Sequence, residues 1–232
     1  MEFFSNSSRI LVVAAHPDDE VLGCGATVSR FADVGAEIRV LILGEGKTSR
    51  DAIRDRDARD HEIEELRNEI VGANSVLGVA DIHTRDYPDN RFDEVPLLDI
   101  VKDVEQHIVD FDPSIVFTHF ADDLNVDHTA TNRAVLTATR PLPGSSVSMV
   151  AAFEVLSSTG WYYPNGFEPN IFVALSEYSV QKKIDAMNAY QSELRAYPHP
   201  RSLESIRNLA ALRGSSIGEA YAEGFFLLRQ RY

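Results

Sequence analysis

Short apolar runs recur along the 232-residue chain, each followed by a polar stretch and then by a segment whose apolar residues fall three or four apart. Strand, loop and helix in that order predict an α/β domain. Ile10-Leu11-Val12-Val13-Ala14-Ala15 has no polar position, as expected of a central parallel strand buried on both faces. Ala26 to Val34 carries helical spacing, and Gly35 stops it. Ala36 to Leu43 alternates and then turns wholly apolar, which predicts a second strand and completes a βαβ unit by Gly44. Glu45 to Asp60 is charged and poor in apolar residues, so it reads as a loop at the edge of a crevice. A helix over 62–77 follows, with Ile63, Leu66, Ile70, Ala73 and Leu77 along one stripe and Gly78 as its cap.

Asp81 to Thr84 predicts a short strand, Tyr87-Pro88-Asp89-Asn90 a turn, and Val95 to Val109 a helix broken by Phe111-Asp112-Pro113. Ser114 to His119 is a strand ending in histidine, Phe120 to His128 a polar loop, and His128 to Arg140 a helix. Strand-like sequence returns at Val147 to Leu156 and Asn170 to Leu175, and helices at Val180 to Leu194 and Leu203 to Leu212. An apolar segment, Ala222 to Leu228, closes the chain. No repeat or composition break divides it, which predicts one domain over residues 1–232 with a mostly parallel sheet and helices on both faces.

Composition narrows the choice. Hydrophobic residues at 44% and charged residues at 25% are ordinary globular values. The formal net charge of −14 disfavours nucleic acid or an anionic membrane as the main partner. Cys24 has no second cysteine to pair with and suits a packing role in a reducing compartment. No run approaches the ~18 apolar residues of a membrane span, and the N-terminal MEFFSNSS lacks a signal core, so a cytoplasmic location is expected.

The candidate chemistry begins where the first strand ends. His16, Asp18, Asp19 and Glu20 follow it without a linker, at the edge where parallel strands open onto a ligand crevice. Pro17 fixes φ and turns the chain, so the histidine and the acids can converge. Imidazole and carboxylate are ordinary zinc ligands, and a second carboxylate beside them suits a general base for water. Acids at a helix start also simply complement its dipole, and the motif alone leaves both readings open. The second polar loop, with Asp122, Asp123, Asn125, Asp127 and His128, leaves a neighbouring strand toward the same crevice. His16, Asp19 and His128 can therefore meet. Trp161 at a strand end either packs in the core or stacks on a sugar. His199, bracketed by Pro198 and Pro200 and followed by Arg201, is held rigidly in a loop. His61 belongs on a solvated helix flank, and His83 reads as structural.

The sequence AHPDDE at Ala15 to Glu20, with Asp127-His128 opening a later helix, resembles the LmbE-like or PIG-L family of metal-dependent N-acetylglucosamine deacetylases. Gly44-Glu45-Gly46, Arg67-Asn68-Glu69, Leu77-Gly78, Pro88-Asp89 and Tyr221-Ala222-Glu223-Gly224-Phe225 also fit, so the resemblance covers nearly the whole chain. It implies a Rossmann-like fold, zinc (with iron as the in vivo alternative) on His16, Asp19 and His128, and Asp18 as general base. It further implies sugar contacts from Arg67 and Asp89, and an outer role for Asp127 in orienting His128 or Asn125. One departure matters: Asn125 stands where many members carry a histidine, and asparagine can donate to an oxyanion but cannot deliver a proton. His199 is the candidate for that acid. Trp161 and Arg201 are candidate substrate contacts; Arg195, Arg201 and Arg213 could offset the acidic surface for a charged aglycone. The expected reaction removes acetyl from an N-acetylamino sugar joined to a nucleotide, a malate- or inositol-like aglycone, or a polysaccharide precursor. Hydrolysis of another amide, such as a thiol conjugate, stays open. A non-catalytic nucleotide-binding module is disfavoured by the missing G-x-G-x-x-G turn, and a serine hydrolase by the missing G-x-S-x-G elbow. Homo-oligomers, frequent in the family, are a further expectation of the resemblance.

Overall fold

The computed structural model describes residues 8–50, 53–164 and 166–231. Strands β1 (Arg9–Ala14) and β2 (Glu37–Gly44) flank helix α1 (Asp19–Asp33), and α2 (Asp60–Leu77) leads to β3 (Asp81–Tyr87). Helix α3 (Leu97–Phe111), β4 (Ile115–His119), α4 (Val126–Ala138) and β5 (Met149–Phe153) follow. The chain ends with β6 (Ile171–Leu175), α5 (Glu177–Ala189), α6 (Leu203–Ser215) and β7 (Tyr221–Gln230). These strands form one seven-stranded sheet in the order β3-β2-β1-β4-β5-β7-β6. Strands β1 to β5 pair in parallel, and β7 runs antiparallel between β5 and β6. Among the described residues no helix is long and apolar enough to cross a membrane.

The unbroken apolar character of β1 has its explanation in two cores. Ile10, Val12 and Ala14 pack with residues of α1, α2, α5 and α6, whereas Leu11, Val13 and Ala15 pack with α3 and α4. Successive side chains of a strand point to opposite faces, so a strand covered on both sides favours apolar residues at every position. Between β1 and β4 the strand order reverses, and both strands release their C-terminal loops at the same edge. That is where open α/β sheets form a crevice.

Helix α1 departs from the spacing. The sequence predicts a start at Ala26, but the helix begins at Asp19 and is broken at Cys24 (φ −143°, ψ 17°). The break frees backbone groups on both sides, and two buried side chains from distant elements take them. Glu223 on β7 accepts from the amides of Ala26 (3.1 Å) and Thr27 (2.7 Å). Lys183 on α5 donates to the Leu22 carbonyl (2.8 Å) and to Glu223 (2.6 Å). The helical spacing from Ala26 thus marks a real second N-terminus, capped by a residue 197 positions away. Gly23 lies just before the break because a Cβ there would meet the Phe153 ring at 2.2 Å. Cys24 is buried in the core and free, as its packing role requires.

Replacing Lys183 with Met strands Glu223 as a buried, unpaired carboxylate. Such a change costs roughly 3–5 kcal/mol. Lys183→Met should therefore shift a urea unfolding midpoint strongly downward, and Lys183→Met with Glu223→Gln should recover part of the loss. A midpoint unchanged in the single variant would contradict this account of the kink.

Candidate active site

At the edge where β1 and β4 end, His16, Asp18, Asp19, Asp89, Asn125 and His128 line a cleft that opens to solvent. The motif turns tightly. The Asp19 carboxylate folds back to accept from the His16 amide (2.9 Å), and Asp18 sits in the left-handed region at φ 94°. Its backbone is held on both sides, its amide donating to Glu20 Oε2 (3.1 Å) and its carbonyl accepting from Leu22 (2.8 Å). Glu20, the third acid, faces the scaffold instead of the cleft. It accepts from Tyr190 Oη (2.5 Å) and Asn74 Nδ2 (3.0 Å), tying α1 to α2 and the end of α5, and burial pushes its pKa up to about 7.

One oxygen is the focus of the site. Asp19 Oδ2 lies 3.2 Å from His16 Nδ1 and 3.2 Å from His128 Nε2. The outer nitrogen of each ring faces another carboxylate: His16 Nε2 lies 2.9 Å from Asp127 Oδ2, and His128 Nδ1 lies 3.1 Å from Asp123 Oδ2. When the outer nitrogens carry the protons, both inner lone pairs point at the Asp19 carboxylate, a juxtaposition that only positive charge relieves. The titration behaviour has the same origin. Burial opposes a charge on His16 and His128, but the surrounding aspartates outweigh it, holding His16 well above the ordinary value and His128 at about 9. Burial raises the Asp19 pKa, yet the neighbouring histidines win and hold it well below the usual carboxylate range. His16, Asp19 and His128 offer three ligand atoms within 4.8 Å of one another; His16, Asp89 and Asp127 form a second such group around the outer nitrogen.

Asp18 stands beside this centre. Burial raises its pKa well above the ordinary value, and Arg201, whose Nη1 lies 3.2 Å from Asp18 Oδ2, opposes the shift. Asp89 also lines the cleft, fixed by Ser49 Oγ (2.6 Å) and 3.4 Å from His16 Nε2. Asn125 caps α4, its Oδ1 accepting from the Asp127 amide (2.9 Å), while its Nδ2 donates to Asn90 Oδ1 (2.9 Å).

Residues 11–139 match the family described as "PIG-L: GlcNAc-PI de-N-acetylase". The chain belongs to the PIG-L family. It is 30% identical to "Uncharacterized deacetylase YaiS" of Escherichia coli K12, over 79% of this chain and 90% of that protein. It is 26% identical to a diacetylchitobiose deacetylase of Thermococcus kodakarensis, over 96% of this chain and 84% of that protein. The fold is also that of the N,N'-diacetylchitobiose deacetylase of Pyrococcus horikoshii (TM-score 0.75, 22% identity, 96% of this chain and 84% of that one). A 4-carboxy-2-hydroxymuconate hydratase of Pseudomonas putida shares it as well (TM-score 0.74, 21% identity, 97% and 98%). Fold alone therefore does not choose the reaction; the side chains in the cleft must.

Within this PIG-L chain the sequence-derived candidates divide. His16, Asp18, Asp19, Asp89, Asn125, His128 and Arg201 all line the cleft. The Asp127 carboxylate lies against His16 and the Phe92 amide (2.8 Å); neither His128 nor the Asn125 side chain is what it orients. Arg67 is outside the cleft wall, paired with Glu64 (3.3 Å) and Asp86 (3.2 Å). His199 and Trp161 meet edge to face, ring centres 6.0 Å apart, on the segments that carry Arg201 and Ser158 into the cleft, but neither is part of its lining. His199 Nδ1 accepts from the Arg201 amide (3.0 Å), and burial together with Arg201 and Arg195 lowers its pKa. Arg213 is committed to Glu154 through two bonds of 2.7 Å, and Arg195 to backbone carbonyls. His61 is exposed, and His83 pairs with Asp81 (2.8 Å).

Three participants carry no role in the sequence reading. Asp123 supports His128 and is itself fixed by Thr159 Oγ1 (2.6 Å); it lies in the acidic loop the sequence marks, but nothing there says which acid serves which histidine. His119 stacks on His128 with ring centres 3.9 Å apart and accepts from the Ala15 amide (2.8 Å); its place at the end of a buried strand is the available signal. Burial, and the charge on His128, hold its pKa well below the ordinary value. Glu193 lines the cleft from the segment after α5, where no pattern announces it.

A divalent cation held by His16, Asp19 and His128, as proposed below, predicts that Asp127→Asn and Asp123→Asn each weaken its affinity about 10–100-fold, the usual effect of losing a carboxylate behind a ligating histidine. Metal-chelator competition measures this, and wild-type affinity in both variants would overturn the pairing. On that reading the same titration should show affinity rising as pH rises from neutral, because His16 and His128, both held above the ordinary histidine value, must lose a proton to bind.

Proposed function

We propose that the protein is a divalent-metal-dependent de-N-acetylase of N-acetylglucosamine-type conjugates, releasing acetate and a free amine. The observation that carries the reading is the convergence of His16 Nδ1, Asp19 Oδ2 and His128 Nε2 on one point beside a second aspartate. A divalent cation suits this donor set: two imidazoles with inner lone pairs, one carboxylate depressed in pKa, and a supporting carboxylate behind each ring. Zinc fits nitrogen and oxygen donors of this kind, and iron(II) is the alternative. When bound, the cation supplies Lewis acidity toward water and the amide carbonyl.

The chain's own groups do the rest. Asp18, on the cleft wall and paired among the described residues with Arg201 through Oδ2, takes a proton from the attacking water. Asn125 is fixed at two points, so its remaining Nδ2–H is a pre-oriented, uncharged donor for the oxygen that develops charge. Asn125 has no proton to give the departing amine, and His199 lies outside the cleft lining, so Asp18 returns the proton it accepted. The Thermococcus relative, which acts on diacetylchitobiose, supports an N-acetylamino sugar as substrate, and the open, polar cleft suits one carried on a larger conjugate.

The experiment is a panel of N-acetyl sugars, free, glycoside-linked and nucleotide-linked and including N,N'-diacetylchitobiose, followed by amine and acetate release with zinc or iron(II) supplied. Asp18→Asn should keep metal and lose about 10²–10⁴-fold in kcat, the range of general acid–base catalysis. His128→Ala should lose the metal. An Asp18→Asn enzyme as fast as wild type would overturn the base assignment, and amine release without acetate would point to another acyl group. His199→Gln should change kcat only a few-fold if Asp18 returns the proton, and a loss like that of Asp18→Asn would give His199 the acid role.

A further inference from the structure

Behind Asp18 lies a buried charge network that no step above uses. Arg201 Nη1 is shared between Asp18 Oδ2 (3.2 Å) and Glu193 Oε2 (2.9 Å). The other oxygen of Glu193 accepts from Lys47 Nζ (2.7 Å), which also donates to Ser192 Oγ (2.7 Å). Ser192 in turn donates to Glu69 on α2 through its hydroxyl (2.6 Å) and its amide (3.0 Å). Glu193 and Lys47 are 5% and 2% exposed, so their charges are held by one another and by Arg201 instead of by water. Buried ion pairs of this kind seldom add stability over apolar residues of similar volume, which directs attention to what the network positions.

We infer that Glu193 is a positioning residue for the deacetylation proposed above, holding Arg201 so that it touches Asp18 through Oδ2 alone and leaves Oδ1 to face the water it deprotonates. A guanidinium free of Glu193 would take a carboxylate in the preferred two-bond fork, engaging both Asp18 oxygens. By drawing Nη1 to its own Oε2, Glu193 prevents that fork; Lys47, anchored through Ser192 to α2, fixes Glu193. The base, the Lys47 loop after β2 and the segment between α5 and α6 thus form one unit. The inference rests on Asp18 being the base.

The test is Glu193→Gln, assayed on the panel sugar that wild type turns over fastest. The expected loss is about 100-fold in kcat, the scale of a small misplacement of a reacting group, with KM within about 3-fold and metal content at the wild-type level. Because Glu193→Gln leaves Lys47 buried without its carboxylate partner, Lys47→Met with Glu193→Gln is made alongside; it should restore the unfolding midpoint and not kcat. A crystal structure of Glu193→Gln should show Arg201 bonded to both Asp18 oxygens or withdrawn from Asp18. Near-wild-type kcat in the single variant, recovery of kcat in the double variant, or Arg201 unmoved at Oδ2 would each overturn the inference. An active Asp18→Asn enzyme, in contrast, would overturn the base assignment itself. The crystal structure reads the positioning even if wild type is inert on every panel sugar.

Discussion

Strands β1 and β4 lie side by side, parallel, with Val12 opposite Phe117, and the site depends on that pairing. It is the point where the strand order reverses, so the loops after β1 and β4 leave the same edge side by side. His16 and Asp127, 111 residues apart in the chain, come within 2.9 Å. The pairing is maintained by apolar packing on both faces of β1, so the chemistry of the cleft is positioned by two apolar clusters that meet across that strand. Rigid elements of this kind hold side chains more closely than loops can, and His16 and His128 are each further pinned by a carboxylate on the outer ring nitrogen.

The electrostatics of the cleft follow from crowding. Asp18, Asp19, Asp89, Asp123 and Asp127 are all buried within a small volume around two imidazoles. Carboxylates so close cannot all ionise unless cationic charge enters among them. The structure answers from two sides: Arg201, with Lys47 behind it, at Asp18, and the two histidines, as cations or as ligands of one, at Asp19. The acids at the centre are therefore complementary to a cation, and the one at the edge is tuned by a guanidinium.

What could be read from sequence was what local pattern encodes. The apolar runs of β1, β2 and β4 and the spacing of α2 were legible because burial imposes them residue by residue. His16, Asp18, Asp19 and His128 could be singled out because they sit at strand ends in compact motifs. The start of α1 was not legible: Gly23-Cys24-Gly25 carries no helical signal, and the cap that steadies the break, Glu223, comes from the last strand. The partners of the two histidines could not be assigned either. Asp123 and Asp127 are chemically alike, and which ring each meets is set by how the loop enters α4. Glu193 was invisible for the same reason, since its partners, Lys47 and Arg201, belong to segments that only the fold brings together.

The left-handed backbone at Asp18 limits what that position can evolve into. Few side chains tolerate φ of 94° without strain; glycine does so freely, and asparagine and aspartate do so better than the rest. Of these three, aspartate alone carries a carboxylate. Glutamate, though chemically equivalent as a base, would have to bend a longer side chain from a backbone shape it resists. The tight turn therefore selects the same amino acid as proton transfer does, and a drift away from aspartate at this point is opposed twice, once by the conformation of the chain and once by the reaction.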